Sequence, residues 1–177
     1  MYKHSILFTE ERIRERIAEL ARTINEYYAE RTVDIVCILK GALFFVADLT
    51  RRITVPARIH FIQVNSYGNE TNTSGTVTVQ LSSIMNLQGC EVLLVEDILD
   101  TGITMQYLFT HLQQQQPESL KLCVLLDKAE RRRVAIRPDF CGFRIADHFV
   151  IGYGLDYREF GRNLPYIGVL DPDEYRK

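Results

Sequence analysis

The 177-residue chain has no excess of either charge: 21 Lys and Arg face 23 Asp and Glu, for a formal net charge of −2. That removes any general attraction to nucleic acid or an anionic membrane, so a phosphate ligand must be held by a local site. There is no C-x-x-C pair. The four cysteines (Cys37, Cys90, Cys123, Cys141) are widely scattered, which argues against zinc ligands and disulfides and suits free thiols in a reducing cytosol. No apolar run reaches the roughly 18 residues that a membrane helix requires, and "MYKHSILFTEER" has no signal-peptide core. A cytoplasmic protein is expected. Neither a repeat nor a linker interrupts the chain, so residues 1–177 read as one domain. At 46% hydrophobic residues that domain can bury an apolar core without disulfides.

What is present is an alternation of strands and helices. Thr9 before Glu10 and Glu11 is a helix start, and Ile13, Ile17, Leu20, Ala21, Ile24 and Tyr28 recur at helical spacing to about Glu30. "VDIVCIL" (Val33–Leu39) reads as a buried strand, "ALFFVADLTRRI" as a helix, and "ARIHFIQV" (Ala57–Val64) as a second strand. A polar, turn-rich loop follows (Asn65–Gly75), then an alternating strand, Thr76–Leu81, at an edge. Val92–Val95 and Leu120–Leu126 are further apolar strands flanking a helix from about Gly102 to Gln116. His148–Gly154 and Tyr166–Leu170 are late strand candidates, and "DPDEYRK" is a surface tail. Strands that are apolar almost throughout, alternating with helices, indicate a doubly wound, mostly parallel α/β sheet covered on both faces. In such sheets ligands bind beyond the carboxyl ends of the strands, where Lys40, Ser66, Glu96–Thr104 and Asp156 fall.

The stretch "VLLVEDILDTGIT" (Val92–Thr104) places Glu96, Asp97 and Asp100 directly before Thr101-Gly102-Ile103-Thr104. Acids at a strand end also occur in receiver-type and phosphatase-type domains, and an Asp here could simply cap the next helix. The whole combination is more specific. Backbone N–H groups at a turn that opens a helix cradle a phosphate. Carboxylates accept sugar hydroxyls and stabilise an oxocarbenium-like carbon as a leaving group departs. A 5-phosphoribosyl group has both ends, its phosphate on Thr101–Thr104 and its ribose on Glu96 and Asp97.

"VEDILDTGITM" resembles the phosphoribosyl-diphosphate motif of the type I phosphoribosyltransferases. "LKG" (Leu39–Gly41), "SYG" (Ser66–Gly68), "LLDK" (Leu125–Lys128), "PDFCGF" (Pro138–Phe143) and "FVIGYGLDYREFGRNLPYIGVL" (Phe149–Leu170) narrow the resemblance to the hypoxanthine (guanine) branch over nearly the whole chain. The resemblance implies magnesium-dependent transfer of phosphoribose from 5-phosphoribosyl 1-diphosphate to a 6-oxopurine. It also implies a small hood formed by the N- and C-terminal segments, and a homodimer or homotetramer. Asp100 matches the general base at purine N7. Lys40, Gly41, Glu96, Asp97, Ile98, Leu99, Thr101, Gly102, Ile103, Thr104 and Arg162 match the diphosphate site, with the Leu39–Lys40 peptide cis and Arg162 on the leaving pyrophosphate. Phe149 matches the aromatic stacked on the purine, and the carbonyls of Val150 and Asp156 its edge acceptors. Glu96, Asp97 and Asp156 match magnesium ligands, and Ser66 and Tyr67 begin a mobile lid.

The chain departs from the family pattern in three places. Arg137 replaces the lysine usual before "PDF" and is assigned to the purine's 6-oxo group; a guanidinium has only donors, which suits an acceptor. Leu81–Gly89 lacks the usual charges, and Ala129 stands where proline is frequent. His4, His60, His111 and His148 show no metal-site or triad spacing, and Arg131-Arg132-Arg133 reads as a solvated or subunit-contact face. A nucleic-acid-binding regulator on the same fold should carry a basic patch or an added domain, and neither is evident. An enzyme for orotate, adenine or uracil fits the C-terminal segment and Asp100 less well.

Overall fold

The computed structural model describes residues 2–66, 77–81 and 86–175. In the helix α1 (Glu10–Tyr28), Thr9 caps the start, its hydroxyl accepting from the Arg12 amide at 3.2 Å. The stripe Ile13, Ile17, Leu20, Ala21, Ile24 and Tyr28 is buried as the helical period requires. The strands are β1 (His4–Phe8), β2 (Val33–Leu39), β3 (Ala57–Ser66), β4 (Val77–Leu81), β5 (Glu91–Leu99), β6 (Ser119–Asp127), β7 (Phe140–Arg144), β8 (Val150–Ile151) and β9 (Ile167–Leu170). The remaining helices are α2 (Leu43–Thr50), α3 (Ile103–Gln113) and the short α4 (Pro172–Tyr175).

The main sheet has the order β4-β3-β2-β5-β6-β7, with β4 antiparallel at one edge and the other five strands parallel. Its central strands are buried on both faces, and their side chains divide by period two. Ile35 and Cys37 of β2, with Leu93 and Val95 of β5, pack under α1 and α2. Val36 and Ile38, with Val92 and Leu94, pack against Met105, Leu108 and Leu112 of α3 on the opposite face. Each such side chain contributes about 1.5–3 kcal/mol of hydrophobic stabilisation. Asp34 is the polar exception in β2. Arg58 donates to both its oxygens (2.8 and 2.6 Å) and His60 sits at 2.7 Å, joining β2 to β3.

A second sheet, order β1-β9-β8 and antiparallel, forms the hood from the two ends of the chain. Strand β1 was not legible in the sequence, and neither was β7. The predicted His148–Gly154 strand shrinks to Val150–Ile151, because Tyr153 and its flanking glycines adopt positive φ in a tight turn. Asn65 and Ser66, expected in a loop, extend β3, while Tyr67 and the rest of that loop lie outside the described residues. The tail, expected as a surface extension, contains α4. The chain leaves β2 toward one edge and β5 toward the other. The switch point of the sheet therefore lies between the carboxyl ends of β2 and β5, where a doubly wound sheet opens a crevice.

Candidate active site

A cleft of about 310 Å³ occupies that crevice, walled by Leu39–Gly41 after β2, Glu96–Gly102 along and after β5, Thr104 on α3, and Arg162. The Leu39–Lys40 peptide is cis. Gly41 is required by contact with the acid behind it: a β-carbon there would fall 2.5 Å from Asp97 Cγ and 2.9 Å from Oδ1. Gly154 closes the other side, since a β-carbon on it would overlap the Gly41 carbonyl. Gly102 adopts φ +82° immediately before α3. Only glycine enters that turn without strain, and the first amide of the helix, that of Ile103, reaches the Thr101 hydroxyl at 3.5 Å.

Burial, followed by the charge of Asp97, holds the Glu96 carboxyl well above the ordinary range. Burial also raises Asp97, against the opposing pull of Glu96 and of the Asp97 and Ile98 amides. Glu96 Oε2 is buried and finds no hydrogen-bond partner among the described residues. Two adjacent buried carboxyls with an orphaned oxygen call for hydroxyl donors or a hard cation. On this ground Glu96 and Asp97 fit magnesium. Asp156 is differently engaged: Arg162 Nη2 lies 2.6 Å from its Oδ1, and the Glu159 amide donates to its Oδ2. No group of three or more His, Cys, Asp or Glu side chains converges as a metal site among the described residues.

The cations across the cleft are held by acids. Lys40 Nζ donates to Glu159 Oε2 at 2.9 Å, and Arg162 donates to the Gly154 carbonyl at 2.8 Å. Arg162 Nε is buried without a partner among the described residues. Asp100 stands at the mouth, where Arg131 Nε approaches its Oδ1 at 2.8 Å. Phe149, which an apolar strand start would place in the core, is 36% exposed and packs edge-on against Tyr157 and aslant Tyr175. Val150, beside it, is buried in β8.

Arg137 does not join these residues. It is exposed and lines a separate groove of about 500 Å³ with Arg132 and Arg144. Sequence reasoning passed over Lys128, which is only 8% exposed at the end of β6. Its amide donates to the Leu99 carbonyl, next to Asp100, and its Nζ lies 3.5 Å from Asp147, two residues before Phe149. A lysine directly after an apolar strand was a visible signal of a cation at the sheet's carboxyl end. Arg131, read as part of a solvated or subunit-contact face, also reaches Asp100. Ser66 ends β3, and Tyr67 is outside the described residues.

A doubly wound sheet with a buried acid pair, a third carboxylate and a glycine turn at its switch point defines a class: an α/β protein built to hold a phosphorylated sugar. Residues 5–158 match the model of the phosphoribosyl transferase domain, and the chain belongs to that family. It is 45% identical over 170 residues to a hypoxanthine-guanine phosphoribosyltransferase of Aquifex aeolicus, covering 96% of each chain. It is 42% identical over 178 residues to the enzyme of that name in Bacillus subtilis, covering 99% of each. Among solved structures it resembles a hypoxanthine phosphoribosyltransferase mutant of Trypanosoma cruzi in a ternary substrates complex, with TM-score 0.90, 42% identity and 98% of each chain covered.

Proposed function

We propose that the chain transfers the 5-phosphoribosyl group of 5-phosphoribosyl 1-diphosphate to N9 of hypoxanthine and guanine, forming IMP and GMP in purine salvage. The observation that carries this is the adjacent Glu96–Asp97 pair, with Asp97 and Glu96 Oε2 buried, one short segment before the Gly102 turn. Acids face the sugar and amides face its phosphate. Thr101, Gly102, Ile103 and Thr104 cradle the 5′-phosphate, with Ile98 and Leu99 setting the spacing from the acids. Lys40, Gly41 and Arg162 receive the diphosphate, exchanging Glu159 and Asp156 for its oxygens. Bound magnesium, held by Glu96 and Asp97 with Asp156 as a further ligand, would neutralise diphosphate charge that two cations cannot match. Asp100 takes the N7 proton as the N9 bond forms.

Phe149 stacks on the base, and the Val150 and Asp156 carbonyls accept from its edge. Lys128 is the better donor to O6, being buried and paired with Asp147, two residues before Phe149, whereas Arg137 is exposed in another groove. An ammonium has only donors, so it satisfies a 6-oxo group and leaves a 6-amino group unpaired. Ser66 and Tyr67 open the lid. The single domain works in the cytosol, which the four free cysteines support, and no described helix is long and apolar enough to cross a membrane. Leu43 and Phe44, exposed at the start of α2, suit a homodimer or homotetramer contact. Small molecules, not nucleic acid, are its partners. The test is incubation with the diphosphate, magnesium and each purine or pyrimidine base, followed by identification of the nucleotide. Product from orotate or uracil, and none from hypoxanthine, would overturn the reading.

A further inference from the structure

The segment after β6 returns along the catalytic strand end. Lys128 donates to the Leu99 carbonyl at 3.0 Å, a single 3₁₀ turn covers Ala129–Arg131, and the Arg133 amide donates to the Thr101 carbonyl at 2.9 Å. These two backbone bonds straddle Asp100 and bring Arg131 alongside it. Arg131 Nε lies 2.8 Å from Asp100 Oδ1, while its Nη1 donates to Asp147 Oδ2 at 2.9 Å. Asp147 is also approached by Lys128 Nζ at 3.5 Å. The guanidinium therefore bridges two carboxylates, Asp147 two residues before Phe149 and Asp100 at the mouth of the cleft.

The two ends of this bridge differ in geometry. The contact to Asp147 satisfies hydrogen-bond angles. At Asp100 the guanidinium lies against Oδ1, which is buried, while the side chain as a whole is 40% exposed. A carboxylate held through one oxygen keeps the other, Oδ2, to accept a proton from a substrate. Without the cation, a half-exposed side chain after the strand end would sample other rotamers, and catalytic rates fall steeply with small misplacements.

We propose that Arg131 is a positioning residue for Asp100: anchored by Asp147, it holds the base carboxylate toward the purine without occupying its acceptor site. This rests on Asp100 acting as the base. The test is a double-mutant cycle on the intact chain, measuring kcat and the KM for each substrate in wild type, Arg131→Ala, Asp100→Asn and the double variant. Arg131→Ala is expected to lower kcat roughly tenfold, the scale on which contacting residues couple, with KM for the diphosphate unchanged. In the Asp100→Asn background the same change should cost nothing further. Arg131→Lys, which keeps the charge, should recover part of the loss, and Asp147→Asn should reproduce part of it. Equal losses in both backgrounds, or an effect confined to KM for the diphosphate, would overturn the positioning role. If Asp100→Asn itself keeps near-normal turnover, the base assignment fails instead, and the two failures are distinguished by that single variant.

Discussion

Gly41→Ala isolates the contact between the Lys40–Gly41 loop and the acid pair. Gly41 does not have positive φ, so alanine introduces no backbone strain, only a methyl group 2.5 Å from Asp97 Cγ. Asp97 is buried at the end of a central strand and cannot swing into solvent, while Gly154 presses on the loop from the other side. Such overpacking costs about 1–3 kcal/mol. At about 2–4 °C per kcal/mol for a chain of this size, the thermal midpoint should fall by roughly 2–12 °C. The kinetic effect should be larger. Moving a carboxylate proposed to hold the ribose by about 1 Å can cost on the order of 10²-fold. Initial rates with hypoxanthine, at varied diphosphate, should show that loss in kcat/KM for the diphosphate. Gly89→Ala is the complementary control, because its φ is +67° and, among the described residues, nothing beyond its chain neighbours lies within 4 Å of the new methyl. It should lose stability through the backbone and retain activity. A Gly41→Ala enzyme with wild-type kcat/KM for the diphosphate would refute the claim that the loop and Asp97 form one diphosphate-sugar unit.

Lys128→Met should raise KM for hypoxanthine and leave the diphosphate's KM nearly unchanged, whereas Arg137→Ala should alter neither; the reverse pattern would return O6 to Arg137. In the wild type, adenine should react at least about 100-fold more poorly than hypoxanthine, since a site built for an acceptor rejects a donor, and comparable rates would remove the donor-only pocket. Excess chelator should abolish turnover and Asp156→Ala should raise the magnesium needed; activity unaffected by chelator would eliminate the metal. Burial alone would raise Asp34, but hydrogen bonds from Arg58 and His60 outweigh it and hold the carboxyl below its ordinary value. A depressed folded-state pKa contributes stability above the unfolded value and loses it as pH falls. The midpoint difference between wild type and Asp34→Asn should therefore be largest near neutrality and shrink below about pH 4, and a pH-independent difference would contradict the linkage.

The parts of the fold legible in the sequence are those whose burial is nearly complete. Val33–Leu39 and Val92–Val95 are covered on both faces, so their apolar runs announce strands without any partner being known. Strand β1 carries no such signal. It exposes Ser5 and Ile6, and it exists because β9, at Ile167–Leu170, pairs with it from the far end of the chain. Strand β7, "FCGFR", is likewise an edge strand with a mixed pattern. The site divides on the same principle. Glu96, Asp97, Asp100 and Thr101–Thr104 are contiguous, so their chemistry could be read as a motif in a single stretch. Lys128 and Arg131 acquire their positions from β6 lying beside β5 and from Asp147 in the segment that follows β7. The resemblance points to an arginine next to "PDF", but the path between β6 and β7 carries Arg137 into another groove and sets Arg131 against Asp100. The departure that looked most informative about base recognition lies outside the cleft, and an arginine in a run read as a solvated or subunit-contact face touches the carboxylate proposed as the base.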